Sequence, residues 1–144
     1  NLENSNILDL FSGVGSFGLE CLSRGAASVT FLESYKEVLT ILKKNIDNLK
    51  QQNYSKIIEK DIFAENTLKL LDNKFDIIFI DPPFKEKKLV DLLSRIIKLK
   101  LLKDNGVIIV HRHKKEVDTF PNEFNLIVSK NYGISKIIFG NTLT

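Results

Sequence analysis

The 144-residue chain has no methionine, no tryptophan, three prolines and one cysteine. A lone Cys21 excludes an internal disulfide framework, which fits a reducing cytoplasm, where the protein is expected to reside. No apolar run approaches the ~20 residues that span a bilayer. The opening residues, NLENSNILDLF, lack the basic segment of a signal peptide. A translated protein starts with methionine unless it is processed. The initial Asn1 and the absence of methionine therefore lead us to expect a missing N-terminal piece. Repeats, low-complexity tracts and Pro/Gly-rich linkers are also lacking, so one domain is expected over residues 1–144. Neither sign of charge dominates: 21 basic against 18 acidic side chains leave a net +3, compatible with a polyanionic partner without indicating one. What the chain does have is 43% hydrophobic residues, enough for a core.

Those residues fall in short runs that alternate with amphipathic stretches. Asn6–Phe11, Ala27–Glu33, Lys56–Lys60, Phe75–Ile80 and Val107–Val110 read as strands. FDIIFI, at Phe75–Ile80, is apolar nearly throughout, as suits a central parallel strand buried on both faces. Helices are expected over Ser16–Arg24, stopped by Gly25, and behind a Ser34-to-Glu37 capping box, where Val38, Leu39, Ile41, Leu42, Ile46 and Leu49 recur at helical spacing. A short helix is expected around Phe63–Leu71, and a further one carries Leu89, Leu92, Leu93, Ile96 and Ile97. Asp104-Asn-Gly106 reads as a turn, and Asn131-Tyr-Gly133 as the turn of a hairpin between Glu123–Ser129 and Ile134–Phe139. The expected fold class is α/β, a three-layer doubly wound Rossmann-like sheet, mostly parallel with a C-terminal antiparallel hairpin. Ligands of such sheets lie beyond the carboxyl ends of the strands.

The candidate site residues fall at those ends. DLFSGVGSFG, Asp9–Gly18, contains G-x-G-x-x-G at Gly13, Gly15 and Gly18. Glycine lets the backbone turn tightly and approach a ligand, and Gly18 can bring the first helix close to the sheet. Glu33 ends the second strand, where a carboxylate can accept both ribose hydroxyls of a nucleoside. This pattern serves NAD and S-adenosylmethionine (SAM) equally. Asp9 points toward SAM, since an acid beside the glycines suits a cationic methionine end; it could equally tie down the amides of the glycine loop. Phe11 lies at the same strand end. Asp61 suits an adenine amino group, with Ile62 and Phe63 near the ring, or else a helix cap.

Asp81-Pro82-Pro83-Phe84 is more specific. Two prolines stiffen the backbone and remove two donors. The Asp81 side chain and the Pro82 carbonyl can then present two acceptors to one planar amine. An exocyclic amine on a nucleobase is a poor nucleophile because its lone pair is delocalised into the ring. Gripping both its hydrogens can turn that lone pair toward an electrophilic methyl. Phe84 offers a face for stacking the base.

Asp9–Ala26 (DLFSGVGSFGLECLSRGA), Phe31–Glu33, Asn45 and Phe75–Phe84 together resemble the ribosomal RNA small-subunit methyltransferase D family of class I SAM-dependent methyltransferases. The resemblance implies SAM as cofactor and, as product, N2-methylguanine in small-subunit (16S) ribosomal RNA. It implies cofactor binding by Asp9, Phe11, Gly13, Gly15, Glu33, Asp61 and Ile62, and catalysis by Asp81, Pro82, Pro83 and Phe84. The partners expected are ribosomal RNA or the small subunit, with no membrane, no metal and a monomeric protein. The DPPF element is shared with DNA adenine-N6 methyltransferases and is close to the NPPY of protein-glutamine methyltransferases. Those activities, and a catalytically silent SAM- or RNA-binding module, stay open at this point. Family members also carry an N-terminal basic segment with an Arg-Pro-Thr motif, which does not occur in this chain.

Weaker signals remain. His111-Arg112-His113-Lys114-Lys115 and Lys85, Lys87 and Lys88 read as basic residues on the ligand edge, available to phosphates or merely solvated. Cys21 reads as core. Asn45 either ties down the loop near DPPF or faces solvent. Tyr132 either lines a base pocket or packs on the hairpin turn.

Overall fold

The computed structural model describes residues 2–64, 66–71, 73–83 and 86–143. Among these, β1 (Asn6–Leu10), β2 (Ser28–Leu32), β3 (Ser55–Ile58), β4 (Phe75–Ile80), β5 (Leu102–His113), β6 (Phe124–Tyr132) and β7 (Ser135–Thr142) form one sheet in the order β3-β2-β1-β4-β5-β7-β6. β1 to β5 are parallel, while β7 runs antiparallel to β5 and β6 antiparallel to β7. The chain winds one way from β1 through β2 to β3 and the other way from β4, so a crevice opens between β1 and β4.

Alternation along each strand sorts the core into two layers. Ile7, Val29 and Phe31 face the helices α1 (Ser16–Ser23) and α2 (Lys36–Asn48), which contribute Leu19, Leu22, Leu39, Leu42 and Ile46. Leu8, Leu10, Leu32, Ile78, Ile80, Ile108 and Val110 face the other way, onto Leu89, Leu92, Leu93 and Ile96 of α3 (Leu89–Lys98). Cys21 lies in the first layer, and burial pushes its thiol up to about 11. No helix of the described residues is long and apolar enough to cross a membrane.

Four local expectations need correction. The capping box does not form: α2 begins at Lys36, and the Ser34 and Tyr35 N–H groups donate instead to the Glu33 carboxylate, at 3.0 and 3.1 Å. The short helix around Phe63–Leu71 is reduced to one 3₁₀ turn at Leu68–Leu70, with the Thr67 hydroxyl donating to the Asp61 carbonyl at 2.6 Å. Asp104-Asn-Gly106 is not a turn between elements. It is a bulge within β5, where the register jumps from Phe75↔Leu102 to Ile77↔Val107. The hairpin reverses at Gly133 and Ile134, so Asn131 and Tyr132 extend β6, and Tyr132 is exposed.

Candidate active site

The backbone leaves β1 through three left-handed residues: Phe11 (φ 58), Gly13 (φ 55) and Gly15 (φ 90). Phe11 is the costly one, since only glycine visits this region freely. Its ring meets that of Phe63, centroids 5.7 Å apart. At Gly15 a Cβ would also lie 2.5 Å from Leu42 Cδ1, so this glycine serves both the turn and the approach of α2. Glu33 secures the turn. One carboxylate oxygen accepts the Gly13 N–H at 2.9 Å and the other accepts Ser34 and Tyr35. Charge-assisted bonds to three backbone donors hold the loop after β1 against the loop after β2.

Asp9 lies beneath this turn, 1% exposed, and accepts the Gly18 N–H of α1 at 3.2 Å. Burial pushes its carboxyl up from 3.8 to about 7. The Gly18 bond opposes that rise, and the nearby charges of Asp81 and Glu33 add to it. Asn45 donates to the Val14 carbonyl at 2.9 Å, so it ties down the glycine turn and not the loop near DPPF.

Two cavities open at the carboxyl edge. The first, about 320 Å³, has Glu33, Asp61 and Asp81 among its walls, with Phe11, Ile62 and Phe63 as apolar surfaces. A nucleoside fits this lining: carboxylates for hydroxyl and amino donors, apolar side chains for a ring. Asp61 Oδ1 accepts the Phe63 N–H at 3.0 Å, an Asx turn that aims the Phe63 segment at the cavity. The Lys88 ammonium lies 5.2 Å over the Phe63 ring. The second cavity, about 190 Å³, is lined by Pro82, His111, Arg112, His113, Ile134 and Ser135. Asp81 lines both.

Of the residues expected from sequence, Phe11, Glu33, Asp61, Ile62, Asp81 and Pro83 meet around the first cavity, and Pro82 lines the second. Gly13 and Gly15 shape the turn, and Asp9 lies behind it. Phe84 and Lys85 lie outside the described residues. Among the described residues no three potential metal ligands converge.

The basic run after β5 is the largest departure. Arg112 is 3% exposed and bonds inward. Its guanidinium grips Asp118 through two bonds of 3.0 and 3.1 Å and donates to the carbonyls of Glu86 (3.0 Å) and Pro83 (3.5 Å). It is therefore an internal strut under the loop that follows β4, not a phosphate contact. His111 faces the opposite side of the strand. Its Nδ1 lies 2.9 Å from Asp81 Oδ1 and its Nε2 lies 2.8 Å from Ser135 Oγ. Sequence reasoning missed both roles, although strand alternation alone separates residues 111 and 112.

A family model described as "Conserved hypothetical protein 95" matches residues 1–141. The ribosomal RNA small subunit methyltransferase D of Buchnera aphidicola (from Acyrthosiphon pisum) is 37% identical over 94% of this chain and 65% of its own length. The Haemophilus influenzae protein of the same name is 36% identical over 92% and 69%. The chain thus spans about two thirds of the length of these relatives. A solved structure from Haemophilus influenzae, proposed there to be a methylase, superposes with a TM-score of 0.85 at 34% identity, over 99% of this chain and 89% of that one. The strand order and the crevice at β1 and β4 are those of a class I methyltransferase, and the chain belongs to the ribosomal RNA small subunit methyltransferase D family.

Proposed function

We propose that this chain transfers a methyl group from SAM to the N2 amine of a guanine in small-subunit (16S) ribosomal RNA. The observation that carries the reading is the position of Asp81 in the shared wall of two cavities, one suited to a nucleoside and the other adjoining it. The names of the family's curated members supply the substrate. Glu33 would hold the ribose hydroxyls and Asp61 the adenine amino group, with Phe11 and Ile62 along the ring. Gly13 and Gly15 would keep the turn open to the methionine end, with the Asp9 carboxyl behind it. When bound, SAM supplies an electrophilic methyl on a sulfonium.

The chain's own contribution is positioning and electrostatics. Asp81 and the Pro82 carbonyl accept the two amine hydrogens and turn the lone pair out of conjugation. The stacking face for the base is the part the sequence assigns to Phe84. Transfer leaves one proton to be lost from the nitrogen, and the Asp81 carboxylate can take it or pass it to water. A guanine held in a helix must first swing out. A protein working on ribosomal RNA acts in the cytoplasm, and the reaction needs only one copy of the chain.

The test gives this chain labelled SAM and small subunits that lack the modification, and identifies the labelled nucleoside by mass spectrometry. N2-methylguanosine is expected. Asp81→Ala should lower turnover by about a thousandfold, as loss of a preorganised polar group does, while SAM affinity stays within about twofold. Label in DNA or glutamine instead, or unchanged turnover of the variant, overturns the reading.

A further inference from the structure

We infer that His111 is a positioning residue for Asp81: it holds the carboxylate oriented, with one oxygen committed and the other left for the amine. The inference rests on the proposed amine methylation and adds a residue to it. Its basis is the sheet itself. The last β4–β5 pair is Ile80↔Val110, so Asp81 and His111 are the next lateral neighbours and project from the same face. Their contact, Nδ1 to Oδ1 at 2.9 Å, follows from that register rather than from a chance side-chain excursion.

A third member completes the arrangement. Ser135 opens β7 opposite His113, and its hydroxyl lies 2.8 Å from His111 Nε2. A carboxylate only accepts, so we place a hydrogen on Nδ1; in the neutral ring Nε2 then accepts from the Ser135 hydroxyl, which can both donate and accept. A serine hydroxyl can serve as that donor without competing for Asp81. The ring is therefore held at both nitrogens by two different strands, β4's end and β7's start. Rotation of the Asp81 carboxylate about its χ2 would break the 2.9 Å bond, so the imidazole limits the acceptor plane that the amine meets. Arg112, on the same strand, cannot substitute, since its guanidinium is engaged on the other face with Asp118 and Glu86.

Two measurements decide this. Imidazole ¹⁵N spectra of this chain should show His111 with the proton on Nδ1, and Asp81→Ala should remove that preference. An Nε2–H tautomer in the unsubstituted chain overturns the inference. In the methylation assay, His111→Leu should lower kcat about tenfold, the worth of one hydrogen bond, with KM for SAM within about twofold. His111→Asn, which keeps a donor near the Nδ1 position, should recover most of kcat. If the Leu and Asn variants behave alike, whether both active or both impaired, the inference fails. If no RNA is methylated by any form, the proposed substrate falls, and the imidazole spectra still decide whether His111 holds Asp81.

Discussion

The two halves of the sheet are held together by different means. One lateral row makes this plain: Phe31, Asp9, Phe79, Ile109 and Phe139 are neighbours across β2, β1, β4, β5 and β7. Phe31 and Asp9 are buried beneath α1 and α2, with Leu19, Leu39 and Leu42 around Phe31. Phe79, Ile109 and Phe139 are only half-buried, and Ile77 and Ile137 share that condition. Where α1 and α2 cover the sheet, apolar packing fixes the glycine-turn end and even a carboxyl is forced into the interior. Where cover thins on this face, hydrogen bonds take over, from His111 and Ser135 around Asp81; on the α3 face a buried ion pair, Arg112 with Asp118, braces the loop after β4. The comparison teaches that burial dominates beneath the glycine turn, whereas hydrogen bonds between strand ends hold the wall of the second cavity.

The strongest way to break it is Arg112→Met. The substitution keeps volume but leaves Asp118, with a side chain 10% exposed, without its bidentate partner, and strips donors from Pro83 and Glu86. Breaking a buried pair on one side costs about 3–5 kcal/mol. Urea unfolding should show a loss of that size. A loss below about 1 kcal/mol, the range of an exposed pair, would mean that the second half does not depend on its ion network.

The next largest effect belongs to Asp9 and carries a pH signature. Its carboxyl ionises at 3.8 in the ordinary case and at about 7 in the fold, because burial disfavours the charge. The folded state therefore holds this proton more tightly than the unfolded state. The resulting stability is fully present below pH 3.8 and is lost as pH rises through about 7. Asp9→Asn cannot ionise and still offers an oxygen to Gly18. The stability of the parent relative to this variant should fall between pH 4 and pH 8 by at most about 4 kcal/mol. Urea titrations at the two pH values measure it. A difference that does not change with pH would show that the glycine-turn half tolerates an ionised Asp9.

How much of this was legible in the sequence follows the same divide. Glycines, Glu33, Asp61 and Asp81 stand at strand ends because parallel strands deliver their carboxyl termini to one edge, and β1, β2 and β4 were readable as apolar runs. The doubly wound, mostly parallel sheet followed from the alternation of strands with helices. The second half resisted because its chemistry depends on register. His111, Arg112 and His113 looked like one basic cluster, yet a period of two sends Arg112 to the α3 side and His111 toward Asp81. The bulge at Asp104-Asn-Gly106 was misread as a turn because turn residues also serve bulges. The capping box failed for a different reason: the Glu33 carboxylate reached the Ser34 and Tyr35 amides first, a competition between neighbours that no local pattern displays.

The smallest expected effect tests whether the glycine-turn half really depends on close packing. Gly18 sits inside α1, where an alanine is favoured by about 1 kcal/mol on propensity alone. In an exposed helix Gly18→Ala would therefore stabilise. Here a Cβ would lie 2.4 Å from Phe31 Cε1 and 2.8 Å from both Phe31 Cζ and Val29 Cγ1, and Phe31 is fully buried with little room to retreat. Overpacking of this kind costs about 1–3 kcal/mol, so the net change should be a loss of about 1 kcal/mol. The displaced helix also carries the Gly18 N–H away from Asp9, whose carboxylate accepts it at 3.2 Å. The loss should then be smaller in an Asp9→Asn background than in the parent at pH 8, since neighbours that share a bond do not add. Thermal or urea unfolding of the four proteins of that cycle gives the answer. If Gly18→Ala stabilises the chain in both backgrounds, α1 has slack against the sheet, and the contrast between a packed half and a strutted half loses its first term.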